Sequence, residues 1–440
     1  MIKQYFKQAL AQLRQQPLLT TISVLGTALT ICLIMVVVMQ QQIKTTPFAP
    51  ESNRNRLLHV KQMSTSNKNW SDDGSSNGPM GLQTAKGCFE GLTTAEEVSI
   101  YTIPETMQVA LPRGVRTGID ALETDGAFWR IFDFSFIDGK PYSDAEVKSG
   151  LPVAVITESV ARLLFGTSHR VSGKEILVND AVYRISGVVK DVSSMASTAY
   201  AQIWVPYSST HITGGDNTWC DGIMGVMRVV ILARSSSDFE AIRAECERRR
   251  LAYNAGLGDY FVFYRGQPDD QLTMSQHKWA NVQPDMAAYF RQQVIIFLIL
   301  LLVPAINLSS MTHSRLRQRV AEIGVRRSFG ATRGGVMGQI VAENLVLTLM
   351  AGVVGLLFCL IISYCWGGTL FADSRLMYLN TAPVIEWKML FKFSTFIYAL
   401  LFCLALNLLS SGWPAWRASR MSIINALSGK LLTKHYTNDE

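Results

Sequence analysis

Four stretches of this chain are long and apolar enough to cross a bilayer, and they constrain everything else about it. Leu18–Met39 runs for 22 residues without a charge, about 33 Å as an α-helix against a hydrocarbon core of ~30 Å. The others run from about Val294 to Met311, from about Ile340 to Trp366 with Glu343 near the start, and from about Phe393 to Trp413. One such run is compatible with a buried core helix; four argue against a soluble fold. Composition agrees, with only 17% charged residues in 440 where soluble domains carry about 25%. Aromatics at 10% speak against disorder, and 7 cysteines and 32 glycines against disulfide-dense and collagen-like classes.

The first run reads as an uncleaved anchor. Its amphipathic lead (Lys3, Lys7, Arg14) and its apolar core are both too long for a signal peptide, and the chain continues Gln40-Gln41-Gln42-Ile43-Lys44 with no small-residue cleavage site. Basic residues flank three segments: the lead, the stretch with Arg315, Arg317, Arg319, Arg326, Arg327 and Arg333, and the tail with Arg417, Arg420, Lys430 and Lys434. The excess of positive charge places these inside. Both termini are then cytoplasmic, and about Gln41 to Gln293 lies outside. The formal charge of +7 is thereby spent on membrane flanks, which removes the main support for a nucleic-acid partner.

The outside region patterns as a mixed α+β domain of two lobes. Strands are expected at Leu57–Met63, Val98–Tyr101, Gln108–Leu111, Arg116–Leu122, Pro152–Ile156, Gln202–Val205, Met227–Ala233 and Tyr260–Tyr264. Ile176–Val178 and Val182–Val189 flank Asn179-Asp180, a two-residue hairpin signal. Helices are expected at Leu82–Glu90, at Glu158–Phe165 with Thr157 as N-cap, and from Asp238 to about Asn254 with Ser237 as cap. Residues 64–81 read as loop by composition. Of the cysteines, Cys88, Cys220 and Cys246 fall outside the spans, so at most one bridge can form there.

Enzymatic chemistry finds no support. The segment Gly166 to Glu175 has six residues between its glycines and Glu where a phosphate loop needs a hydroxyl. The six histidines form no metal-ligand pair, and Gly74-Ser75-Ser76-Asn77-Gly78 lacks the strand and helix of a nucleophile elbow. We expect no catalytic residue, no bound cofactor and no metal. The spans carry almost no ionisable group; Glu343 sits near a membrane face, where a long side chain can snorkel. Pumps usually need charged relays at the midplane, so the driving energy is expected from elsewhere.

Three segments carry a family resemblance. Glu322-Ile-Gly-Val-Arg-Arg-Ser-Phe-Gly-Ala-Thr-Arg333 leads into an apolar helix with Gly352 and Gly355, and resembles the cytoplasmic hallmark of MacB/FtsX-type ABC transporter permeases. Thr124 to Phe134, Gly139 to Tyr142, Val153 to Ser159 and Gly187 to Val192 are similar to the extracytoplasmic core domain of the MacB-like branch. Pro414 to Arg420, then Ile424 to Leu427, resembles that family's C-terminal end.

The resemblance implies a membrane protein with four transmembrane α-helices, one plus three, and a large two-lobed α+β extracytoplasmic domain inserted between helices 1 and 2. Expected segments are an amphipathic cytoplasmic stretch at 1–17, helices at 18–40, 291–312, 336–366 and 393–413, and a core domain at 41–290. Its lobes would be about 45–113 with 213–285, and about 114–212. A cytoplasmic segment at 313–335, an outer loop at 367–392 and a cytoplasmic tail at 414–440 complete the chain.

The function implied is that of a permease subunit in the inner membrane of a bacterial cell. It would couple ATP hydrolysis by separate cytoplasmic ABC ATPase subunits to movement of its periplasmic domain, for efflux or export. A second copy or a paralogous permease would complete the membrane unit, with a periplasmic adaptor and an outer-membrane conduit left open. ATP is used by the partner, because the fused ATPase of MacB itself has no counterpart here. A lipoprotein-releasing permease, and an anchored sensor or scaffold without an ATPase, stand as alternatives. The coupling element would be Glu322–Arg333. Ile323, Val325 and Phe329 can offer apolar surface to a groove on the ATPase while Arg326, Arg327 and Arg333 stay hydrated or paired. Gly330 would let the chain break before the next span.

Overall fold

A computed structural model describes residues 17–70, 74–210, 218–300, 324–326 and 328–370, with isolated positions between 302 and 408. The amphipathic lead, Glu322, Ile323, Arg327, residues 371–395 with most of the expected outer loop, and the C-terminal tail lie outside the described residues, as does most of the fourth span. Contacts divide the chain into two units, one of 1–40, 287–367 and 390–440, the other of 41–286 and 368–389.

In the first unit the described helices are α1 (Pro17–Thr45), α8 (Met286–Leu300) and α9 (Arg333–Leu370). Helices α1 and α9 are long and apolar enough to cross a membrane. Each carries large aliphatic side chains in the open. Leu18, Ile22, Leu25, Leu29 and Leu33 form a stripe along α1, and Val353, Leu357 and Ile361 one along α9. A surface of this kind is stable against lipid and not against water. Opposite the stripe, α1 buries Ala28, Ile31, Cys32, Met35 and Met39. A Cβ on Gly355 would come within 2.7 Å of the Ala28 carbonyl oxygen and 3.1 Å of Ile31. Only glycine permits that approach, as in small-residue crossings of membrane helices. Ala28 meets Gly355, and one turn later in both helices Cys32 meets Cys359. The two helices therefore pack parallel.

The second unit is built from fourteen strands and seven helices among the described residues. In order they are β1 (Leu57–Val60), β2 (Met63–Asn67), β3 (Ser76–Gly78), α2 (Leu82–Phe89), β4 (Glu97–Thr102), β5 (Glu105–Ala110), β6 (Thr117–Thr124), α3 (Phe128–Ile131), β7 (Phe136–Gly139), α4 (Asp144–Lys148), β8 (Val153–Thr157), α5 (Glu158–Phe165), β9 (Glu175–Val178), β10 (Ala181–Val189), β11 (Ile203–Pro206), β12 (Met227–Leu232), α6 (Phe239–Ala255), β13 (Tyr260–Phe263), β14 (Asp269–Asp270) and α7 (Gln271–Gln276), with the end of α1 as the seventh helix.

Strand β11 pairs with both β8 and β6, so the pairings β6–β11–β8–β10–β9–β5–β6 close into a six-stranded barrel. Alternate residues fill it: Met107 and Val109, Ile119 and Ala121, Ala154 and Ile156, Ile176 and Val178, Tyr183 and Ile185, Ile203 and Val205. That is the period-2 pattern a closed sheet requires. From β6 the sheet continues outward through β4, β12, β1 and β14 over a second core, against which α2 and α6 pack.

Local chemistry explains most boundaries. The Thr157 hydroxyl accepts from Val160 N–H and Gly166 closes α5 in a left-handed conformation. Asn179 and Asp180 both have positive φ, 45° and 68°, as a tight hairpin between β9 and β10 demands. Three expectations need correction. The 64–81 stretch is not all loop, because Ser64–Asn67 pairs with β13 and with Ser76–Gly78. Leu57–Met63 is two strands rather than one. The helix near 238 is entered through a short turn capped by Ser235, not Ser237, with a reciprocal Ser235–Asp238 capping box. The described cysteines are all free.

Glu105 and Glu123 extend the inward-facing series on β5 and β6. Burial pushes the Glu123 carboxyl up to about 8; the Thr210 hydroxyl opposes the rise and Glu105 adds to it. The folded domain keeps a proton there that the unfolded chain releases near 4.5. Stability from this group is therefore lost as pH rises from about 4.5 through 8. His59 acts in the opposite sense below 6.5, since burial lowers it to about 3. The diagnostic quantity is thus a difference: the melting temperature of Glu123→Gln minus wild type, in a fragment of the second unit, should grow between pH 5 and pH 8. A difference independent of pH would contradict the assignment.

Candidate functional site

Two places among the described residues stand out. The first is the turn before α9. Residues 324–326 and 328 are helical, and the Ala331 N–H donates to the Arg326 carbonyl across Gly330, which has φ of 92°. This six-to-one bond with a left-handed glycine is the Schellman way of ending a helix. The Thr332 hydroxyl then accepts from Gly335 N–H, capping α9, whose first residue is Arg333. Val325 and Phe329, one turn apart, are 44% and 86% exposed. Arg326 Nη1 donates to Gln339 Oε1 at 2.9 Å, and Gln339 Nε2 to Glu343 Oε1 at 3.3 Å. Glu343 is buried within the protein rather than snorkelling outward. Of the expected coupling residues, Val325, Arg326, Phe329, Gly330 and Arg333 lie in this described turn, and Glu322, Ile323 and Arg327 lie outside the described residues.

The second place was not legible in the sequence. A helix end leaves carbonyls without partners, and at the end of α1, around the buried Ile43, protein groups supply donors. Arg54, 1% exposed, does most of this. Its Nη1 donates to Ile43 O at 2.6 Å and Thr46 O at 3.2 Å, and its Nη2 to Met195 O at 2.7 Å. Its Nε meets Glu51 Oε2 at 2.6 Å, and the Phe48 ring lies 4.1 Å beneath the guanidinium. The other Glu51 oxygen accepts from Thr198 N–H and Ala199 N–H at 2.8 and 3.0 Å. Burial alone would raise the Glu51 carboxyl, but the Arg54 charge and these two N–H groups hold it below the usual carboxylate range. A further α1 carbonyl, Lys44 O, receives Gln271 Nε2 at 3.0 Å. Gln271 Oε1 faces His59 Nε2 at 3.0 Å, so His59 carries its proton on Nε2.

A cleft of about 320 Å³ lies beside α3 and α4. Four of its acidic groups are already engaged: Arg130 bridges Glu97 and Asp144, Arg56 pairs with Glu96, and Asp125 accepts from Ile100 N–H, Phe128 N–H and Ser99 Oγ. No metal-ligand cluster of histidine, cysteine and acidic residues occurs among the described residues.

Long apolar helices joined to a large, barrel-containing α+β domain define a membrane protein with a substantial domain beyond the bilayer. Residues 18–249 match the family model of the MacB-like periplasmic core domain, and 294–423 match that of the FtsX-like permease C-terminal region. The chain belongs to the MacB/FtsX-type family of ABC transporter permeases, inner-membrane proteins with a periplasmic domain. It is similar to the macrolide export ATP-binding/permease protein MacB of Burkholderia cenocepacia, 24% identical over 329 residues, covering 74% of this chain and 44% of that protein. MacB of Escherichia coli O157:H7 is 24% identical over 306 residues, covering 69% and 42%. The chain thus spans less than half the length of these relatives. Among solved structures, the periplasmic region of MacB from Actinobacillus actinomycetemcomitans gives a TM-score of 0.33 at 15% identity, covering 50% of this chain and 92% of that one. The extracellular domain of the noncanonic ABC-type transporter YknZ from Gram-positive bacteria gives 0.33 at 16%, covering 46% and 99%.

Breaking a buried ion pair by removing one partner costs about 3–5 kcal/mol. Arg54→Met should therefore destabilise the second unit by about that amount in urea titrations, because it strands Glu51 and uncovers three carbonyls. An unchanged midpoint would mean that Arg54 does not hold the end of α1.

Proposed function

We propose that this chain is the permease subunit of an ABC transporter that works by mechanical transmission, for efflux or export of a substrate. A separate cytoplasmic ATPase supplies the energy, docking on Glu322–Arg333, and a second copy or paralogue of the chain completes the membrane unit. Movement passes along α1 and α8 into the periplasmic domain, with no substrate path through the bilayer core.

The observation that carries this reading is the clamped end of α1. The helix is apolar along its length and runs unbroken from Pro17 to Thr45, and its last carbonyls are gripped by Arg54 and Gln271. The same Glu51–Arg54 pair also holds the 195–199 loop, so a displacement of the helix end would be passed on to the domain. Two further features favour the reading. The parallel packing of α1 and α9 is what the reading requires, since the N-terminal ends of both helices would then share the side that the basic residues suggest is cytoplasmic. The Val325–Phe329 pair offers exposed apolar surface directly before α9, as a helix that sits in a partner's groove must.

The test is purification of the intact chain from native membranes with identification of what accompanies it. An ABC ATPase should co-purify in stoichiometric amount. Phe329→Ala should remove the apolar anchor of the contact, weakening ATPase binding roughly thirty-fold, about 2 kcal/mol, with expression and membrane insertion unchanged. A chain that comes away without any ATPase is a sensor or scaffold, and the transporter reading fails.

A further inference from the structure

The interior of the first unit contains a sulfur cluster that the transport reading does not use. Cys32 and Met39 lie on the buried face of α1, two turns apart. Helical side chains lean toward the N-terminus, which carries the long Met39 side chain back toward Cys32. Cys359 of α9 lies against both. Its thiol donates to Met39 Sδ at 3.4 Å and lies beside the Cys32 thiol. Cys32 and Cys359 are fully enclosed, and Met39 is 2% exposed. The crossing of Ala28 and Gly355 one turn earlier fixes this register, since any side chain at 355 would force the helices apart.

We propose that Cys32, Met39 and Cys359 form a binding site for one soft monovalent metal ion, of the Cu(I) or Ag(I) class. Thiols and thioethers together select such ions over hard cations. Zinc favours four-coordinate sites of thiolate, imidazole or carboxylate ligands, and a thioether is a poor substitute. Charge is compatible with such an ion. An apolar surrounding penalises any net charge that is not compensated. A monovalent ion that displaces one thiol proton leaves the charge of the cluster as it was: an S–H bond breaks, a sulfur–metal bond forms, and the proton leaves to water. A divalent ion would need a second thiol to give up its proton. Buried cysteines commonly serve as small apolar fillers, but that role gives three sulfurs on two helices no reason to converge.

The test uses the full chain in nanodiscs under reducing conditions, with Cu(I) presented as its complex with a coloured chelator. The chain should withdraw one more copper ion than the Cys32→Ser/Cys359→Ser double variant. Met39→Leu should weaken retention about tenfold, while Met350→Leu, at an exposed position of α9, should leave it unchanged. Zn(II) should not compete. Should the double variant fail to fold, copper X-ray absorption on the wild-type chain decides: a shell of sulfur alone supports the site, and a nitrogen or oxygen shell overturns it. Equal copper uptake by wild type and double variant, or equal losses from Met39→Leu and Met350→Leu, overturns it as well. None of these outcomes depends on whether an ATPase binds.

Discussion

The buried Glu51–Arg54 pair is the interaction on which the junction of α1, the loop before β1 and the 195–199 loop depends. A guanidinium presents five donors in one plane, and here they reach Ile43 and Thr46 at the end of α1, Met195 in the loop before β11, and Glu51 in the loop between α1 and β1. Positive charge at a helix C-terminus is favoured by the aligned peptide dipoles. A buried ion pair is weak evidence of stability, since a well-packed apolar substitute is often as stable. Its value here is geometric. An apolar residue at position 54 could fill the space but could not give donors to three carbonyls from two separate segments.

The barrel gives that joint something rigid to act on. The loop that Glu51 and Arg54 hold, Met195 to Ala199, leads directly into β11, the strand that closes the barrel by pairing with β8 on one side and β6 on the other. Closure removes the free edges along which a sheet can shear or recruit another strand. The interior is filled by branched aliphatic side chains from alternate positions, and close-packed interiors transmit displacement rather than absorbing it.

Much of the framework was legible because it is encoded locally. Thr157 caps α5, Asn179-Asp180 turns the β9–β10 hairpin, and Gly330 ends the helix before α9, each through chemistry spanning three or four residues. Strands β2 and β3 were hidden by their Ser and Asn content, because what makes Ser64–Asn67 a strand is Tyr260–Phe263 nearly two hundred residues away. Barrel closure was illegible for the same reason: β11 and β6 are each ordinary short strands until paired. The Arg54 site was the least accessible of all. Its nearest signal is a Glu-x-x-Arg spacing just after an apolar span, and the carbonyls that give it meaning are backbone atoms, which carry no sequence signature.

Charge is distributed in this molecule so that different parts can do different things. Along α1 and α9 the surface facing outward is aliphatic, and such a helix can tilt or shift in lipid without breaking a hydrogen bond. At Thr45 the situation reverses. Moving the end of α1 away from Arg54 would expose two carbonyls and a guanidinium inside the protein, each at a cost that the lipid-facing part never meets. Under the proposed transmission, a displacement of the end of α1 would be carried by Arg54 and Glu51 into the 195–199 loop and, through β11, into the barrel.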